Sequence, residues 1–68
     1  MVIDLTFHGE RVRRIREKLG LTQVQFALRI GCSQPMLSQW ETNVWAPRDV
    51  KFLQALLAAE TEAAEATA

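Results

Sequence analysis

At 68 residues the chain has room for one small domain with one modest core, and no apolar run is long enough to span a bilayer. A hydrophobic fraction of 49% and a charged fraction of 24% argue against disorder of the whole chain. The formal net charge is zero, which excludes a uniformly basic nucleic-acid coat. Its distribution, however, is uneven: all eight Lys and Arg lie between Arg11 and Lys51, opposed there only by Glu17, Glu41 and Asp49. A basic middle with acidic ends suits a protein that meets phosphate with one face.

In chain order, Thr6 is a plausible cap for a first helix running to about Leu19. Leu5, His8, Val12, Ile15 and Leu19 fall on one side at helical spacing, and the arginines occupy the others. Thr22 then caps a second helix over about 23–30, and Gln25 completes a capping box. Leu21 and Phe26 are placed as a hydrophobic staple, and Phe26, Ala27 and Ile30 point inward. Gly31 ends that helix in the left-handed region. Ser33 caps a third helix over about 34–42, with Leu37 and Trp40 inward and Asn43 as a left-handed stop. After an uncharged loop of Val44, Trp45 and Ala46, Pro47 is expected as the first residue of a fourth helix. That helix carries Val50, Leu53, Leu56 and Leu57 inward, with Phe52 at the edge of the stripe. From Ala58 the sequence is Ala and Glu with little to bury, and is expected to extend the helix and fray. No strand pattern or repeat is present.

Two short helices joined by a break of about three residues fit a helix-turn-helix. The run IREKLGLTQVQFALRIGCSQPMLSQWE, Ile15 to Glu41, resembles the Cro/C1-type (XRE) helix-turn-helix domain of phage repressors and bacterial regulators. The likeness is carried by Gly20-Leu21-Thr22-Gln23, Phe26-Ala27, Gly31, Ser33-Gln34 and Ser38-Gln39-Trp40-Glu41. Gly9 to Arg16 and Pro47 extend it to roughly four-fifths of the chain. The expected fold is an all-α, four-helix domain of the lambda-repressor-like type over 6–59. Residues 1–5 form an N-terminal arm and 60–68 an Ala/Glu-rich tail.

The resemblance implies that the start of the third helix lies in the major groove of double-stranded DNA. Its outward residues Gln34, Pro35, Ser38 and Gln39 are then the base readers. A glutamine amide can grip adenine N6 and N7 together, which suits Gln34, whereas Gln39 reaches either a base or a phosphate. Pro35 either lies against a thymine methyl or stiffens the helix start. Thr22, Gln23, Arg13, Arg16 and Thr42 are candidates for phosphate contact, the first two at a helix N-terminus suited to anions. Arg16 and Glu41 also occupy the positions of a structural salt bridge in this family. The uncharged loop after the third helix departs from the family, which carries glycine and lysine there. Trp45 therefore either anchors a partner or folds back onto the fourth helix, and Trp45, Phe52 and Leu56 are candidates for a dimer surface.

His8 is read as a capping or half-buried residue rather than a metal ligand, and Cys32 as a small buried one. The single cysteine requires no oxidising compartment and no signal-peptide pattern is recognisable, so the protein is expected in the cytoplasm. With no nucleophile motif, paired carboxylates or phosphate loop, neither an enzyme nor a cofactor is expected. The reading is a DNA-binding transcription regulator, a homodimeric repressor on a palindromic operator. The alternative is a protein-interaction or antitoxin-like module that keeps the fold.

Overall fold

The first helix begins at a glycine. The computed structural model describes residues 4–66; residues 1–3 of the expected arm and 67–68 of the expected tail lie outside it. Phe7 is buried, His8 exposed and Gly9 buried, an in-out-in alternation typical of extended chain rather than of a helix. Helix α1 (Gly9–Lys18) follows, capped by His8, whose side chain accepts from the Arg11 N–H. The expected cap at Thr6 and the inward placement of Leu5 and His8 are thus corrected. Phe7, not Leu5 or His8, supplies the core side chain at this end. The capping role read for His8 is the one observed.

Helices α2 (Gln23–Ile30) and α3 (Gln34–Glu41) form the expected pair. The capping box is complete: the Gln25 N–H donates to Thr22 Oγ1 at 3.1 Å, and the Thr22 N–H donates to Gln25 Oε1 at 3.0 Å. Gly31 closes α2 with φ 90°, in the left-handed region. Ser33 caps α3 by accepting from the Met36 N–H. Pro35 lies in the first turn, where no helical donor is lost. Asn43 adopts φ 64° after α3, as expected of asparagine there.

Helix α4 (Val50–Ala66) starts later than expected. Asp49 takes the capping position, its side chain accepting from the Lys51 N–H at 3.0 Å. Pro47 is buried in the preceding loop. Val50, at the first position of α4, is exposed, and Leu56, Ala59 and Ala63 face inward. The Ala/Glu stretch was expected to have little to bury, yet Ala59 and Ala63 are part of the core. Their small side chains let α4 lie close on α1 and α2, against which it packs.

The core joins all four helices through Val12, Ile15, Phe26, Ala27, Ile30, Leu37, Trp40 and Leu56, closed at one end by Phe7. Trp40 meets Phe52 edge to face, with centroids 5.4 Å apart. Helix α3 packs on α1 and α2, so its remaining side stays in solvent. Gly9 is where α1 crosses the end of α3. Its N–H donates to Asn43 Oδ1 at 2.8 Å, and an added Cβ would lie 2.2 Å from Glu41 O.

The terminal acids fold back onto the basic middle. Arg11 makes a bidentate pair with Glu60, at 2.7 Å on each arm. It also donates to the carbonyls of Asp4 and Thr6, and its guanidinium lies over the Phe7 ring. Arg14 pairs with Glu10 and Arg29 with Glu62. The hydrogen bonds from Arg11 hold the Glu60 carboxyl below its ordinary pKa, against the smaller opposing effect of burial. A depressed folded-state pKa adds stability above the unfolded-state value of about 4.3, and that stability is lost as pH falls through the folded value. Glu60→Gln is therefore expected to lower Tm at neutral pH and to flatten its decline below about pH 4. Thermal melts followed by circular dichroism across pH 3–7 test this, and parallel profiles for the two proteins would refute it.

Candidate nucleic-acid interface

Between the start of α2 and the exposed side of α3, four side chains form one hydrogen-bonded series. The Glu41 side chain is almost completely buried, and both its oxygens are engaged. Arg16 Nε donates to Oε2 at 2.8 Å and Arg16 Nη2 to Oε1 at 3.1 Å. Arg16 Nη1 donates to the Leu21 carbonyl, tying in the chain just before the α2 cap. These hydrogen bonds to Glu41 raise the Arg16 pKa further, outweighing its desolvation. Gln23 Nε2 donates to Glu41 Oε1 at 3.2 Å, and Gln34 Nε2 donates to Gln23 Oε1 at 2.8 Å. A buried ion pair thus supports two amides that lead out to the surface.

Gln34, Pro35 and Gln39 are exposed, and Ser38 is half-buried between them. After donating to Gln23, the Gln34 amide keeps one N–H and its oxygen, the pair that adenine requires. The first N–H groups of α2, at Gln23 and Val24, precede any helical acceptor and offer an anion site beside these amides. The Thr22 hydroxyl accepts from the Gln25 N–H, which leaves its own proton to donate.

The other expected phosphate ligands differ in how committed they are. Arg13 is exposed and held only loosely by Glu17 at 3.7 Å, so it is available. Arg16 is spent on Glu41 and Leu21, which makes its structural role the dominant one. The Thr42 hydroxyl donates to the Ser38 carbonyl at 2.9 Å, so its proton is used within α3. Two cations not singled out as ligands, Arg48 and Lys51, are exposed and carry no ion pair among the described residues. Arg48 shares a groove with Gln39, Trp45 and Phe52. The loop itself is uncharged, but positive charge stands at its far end. The signal was present in the sequence as Arg48 and Lys51 just beyond Pro47; their closeness to Gln39 was not.

Trp45 is 65% exposed and does not cover α4. It forms one wall of that groove, with Phe52, Pro47 and Trp40 among the other lining residues. Of the dimer candidates, Leu56 is corrected: it is fully buried in the core of the single chain, on the inward face where the helical period already placed it. Cys32 is half-buried, and burial pushes its thiol pKa up, away from the reactive thiolate. Among the described residues there is no cluster of His, Cys, Asp or Glu able to hold a metal. No described helix is long and apolar enough to cross a membrane.

Residues 12–59 match the family model described as Helix-turn-helix. The chain belongs to the Cro/C1-type helix-turn-helix family of DNA-binding domains. The match runs from Val12 in α1 to Ala59 in α4 and includes the Gln23–Gln34 pair. Over 37 residues the chain is also 51% identical to a propionyl-CoA carboxylase regulator of Cereibacter sphaeroides. That stretch is 54% of this chain and 8% of the regulator, so the chain spans only a small part of that relative. The all-helical fold agrees with the family expectation, while α1 and α4 begin later than their local sequence signals indicate.

Proposed function

We propose that this helix-turn-helix domain reads DNA sequence for a transcription regulator, a repressor acting as a symmetric pair on a palindromic operator. The observation that carries the reading is the exposed Gln34–Pro35–Gln39 face, with Gln34 held against Gln23 at the start of α2. The helix start binds a phosphate while the adjoining amide reads a base edge. Arg13 and Thr22 on one side and Arg48 on the other add phosphate contacts. The regulator name of the Cereibacter sphaeroides relative supports a role in transcription.

Pairing follows from size. Recognition helices on successive major grooves stand about 34 Å apart, and the fold measures 30 × 27 × 19 Å. Two copies on one face of the duplex must therefore nearly touch. Trp45 and the groove beside Phe52 are the surface assigned to that contact, with a second copy of this chain as occupant. A protruding tryptophan next to an apolar groove suits a two-fold interface, in which each copy supplies both.

Selection of bound duplexes from a randomised library tests the whole reading. A palindromic consensus is expected, with preference at one position of each half-site lost in Gln34→Ala. The exposed Trp45 also favours a second reading, in which the fold serves as a protein-interaction module. In that case no consensus is enriched, and Arg13→Ala with Arg48→Ala leaves partner binding intact. On the DNA reading the same double variant weakens binding by about tenfold at moderate salt, since each lost phosphate contact removes released counterions.

A further inference from the structure

We propose that the cavity between α1 and the C-terminal half of α4 binds a small carboxylate with a short aliphatic body. The cavity measures about 160 Å³. Arg14 and Lys18 of α1 are its exposed cations, and Ile15 and Ala63 are its buried apolar surface. Ala64 and the Arg11–Glu60 pair complete the lining. Small side chains at 63 and 64 leave the space open.

The lining carries three cations and one acid. Arg11 and Glu60 satisfy each other through two hydrogen bonds, so their charges cancel. Lys18 carries no ion pair among the described residues. Arg14 is held by Glu10, and because both side chains are exposed that pair contributes little. The hydrogen bonds from Arg11 chiefly lower the Glu60 pKa, and the Lys18 charge adds to the effect. The ammonium therefore stands on the cavity side of α1. Arg14 and Lys18 are four residues apart, neighbours on one side of the helix. Together they offer the adjacent charged donors that a single carboxylate takes. An inorganic anion would leave Ile15 and Ala63 unused, whereas a hydrocarbon body covers them. A cavity of roughly 150 Å³ accepts a ligand of about six carbon atoms. Butyrate and pentanoate are of that size.

The site stands apart from DNA recognition. Arg14 and Lys18 each lie two positions from Arg16, about 200° round the helix, and Arg16 faces Glu41 of α3. A bound carboxylate thus ties α1 to α4 behind the recognition unit, whether or not α3 reads bases.

The test is a titration of butyrate into the whole chain at fixed ionic strength, balanced with sodium chloride and followed by amide NMR shifts. Saturable shifts confined to the surroundings of Ile15, Lys18 and Ala64 are expected. Butyrate should bind about tenfold more tightly than acetate, because two further methylenes are buried, and more tightly than inorganic phosphate. Ala64→Leu fills the cavity from the exposed side of α4 and should abolish saturation. Lys18→Gln removes one cation and should weaken binding by about threefold. If Ala64→Leu does not fold, Lys18→Gln decides. Shifts that never saturate, spread over all the exposed arginines, or match between acetate and butyrate overturn the site as general anion screening. Phosphate binding as tightly as butyrate overturns the carboxylate class, and unchanged binding in Lys18→Gln overturns the assigned cation pair.

Discussion

Gly9→Ala is expected to destabilise the protein by on the order of 3 kcal/mol, the upper range for overpacking. The added methyl would lie 2.2 Å from Glu41 O, 2.7 Å from Glu41 C and 2.9 Å from Trp40 O. All three are backbone atoms, so no flexible side chain can move aside. Helix propensity works the other way, since alanine is favoured over glycine by about 1 kcal/mol in a helix interior, but contact at this distance outweighs it. Relief requires α1 to move off the end of α3, which also breaks the bond from the Gly9 N–H to Asn43 Oδ1. For a chain of this size, with roughly 3–10 kcal/mol of total stability, Tm is expected to fall by roughly 15 °C. Gly20→Ala provides the comparison. Gly20 has φ 70° but nothing within 4 Å of an added Cβ, so only the backbone strain of about 1 kcal/mol applies. Urea and thermal melts of the three proteins should rank wild type, Gly20→Ala and Gly9→Ala in that order. A Gly9→Ala melt matching wild type would show that the crossing of α1 and α3 is not as close as described.

Removing one partner of the Arg16–Glu41 pair is the second large effect. The Glu41 side chain is 4% exposed and that of Arg16 17%, so neither charge left alone regains its water. Arg16→Met leaves Glu41 with the Gln23 amide as its one remaining side-chain donor, and also frees the Leu21 carbonyl. A loss of about 3–5 kcal/mol is expected for breaking a buried pair from one side. The double variant Arg16→Met with Glu41→Met removes both charges and keeps the volume. It is expected to recover most of that loss, because the pair's attraction only roughly offsets the cost of desolvating it. Stability from urea titration of the two single variants and the double variant completes the cycle. A loss in the double variant equal to the sum of the two single losses would mean that the side chains contribute independently, by packing alone. The double variant is also expected to bind DNA less selectively despite its recovered stability. The carboxylate's contribution to recognition is thereby separated from its contribution to folding.

The two helices of the recognition unit were legible residue by residue. Thr22 with Gln25, Gly31, Ser33 and Asn43 act within four residues of themselves, through caps and left-handed stops that any chain context would preserve. The Arg16–Glu41 pair was legible only through family resemblance, because its members are 25 residues apart. The starts of α1 and α4 were misplaced for one shared reason. Thr6 and Pro47 are sound local signals, yet Phe7 is drawn into the core and Pro47 is buried in the loop, so each helix begins two or three residues later. The Ala/Glu stretch was undervalued because alanine carries little apolar surface. What matters there is closeness of approach, together with the pairing of Glu60 to Arg11 and Glu62 to Arg29.

The sequence by itself determined the class of fold, the position of the helix-turn-helix and the polar residues presented on its third helix. Those follow from short-range capping and from hydrophobic period, which are properties of neighbouring residues. Only the tertiary structure decided which cations remain available to phosphate, and why Gly9 admits no side chain. It also decided that Glu41, Gln23 and Gln34 form one series with a single direction of donation. Hydrogen-bond polarity and steric closeness depend on which groups meet across helices, and no periodicity along one chain specifies that.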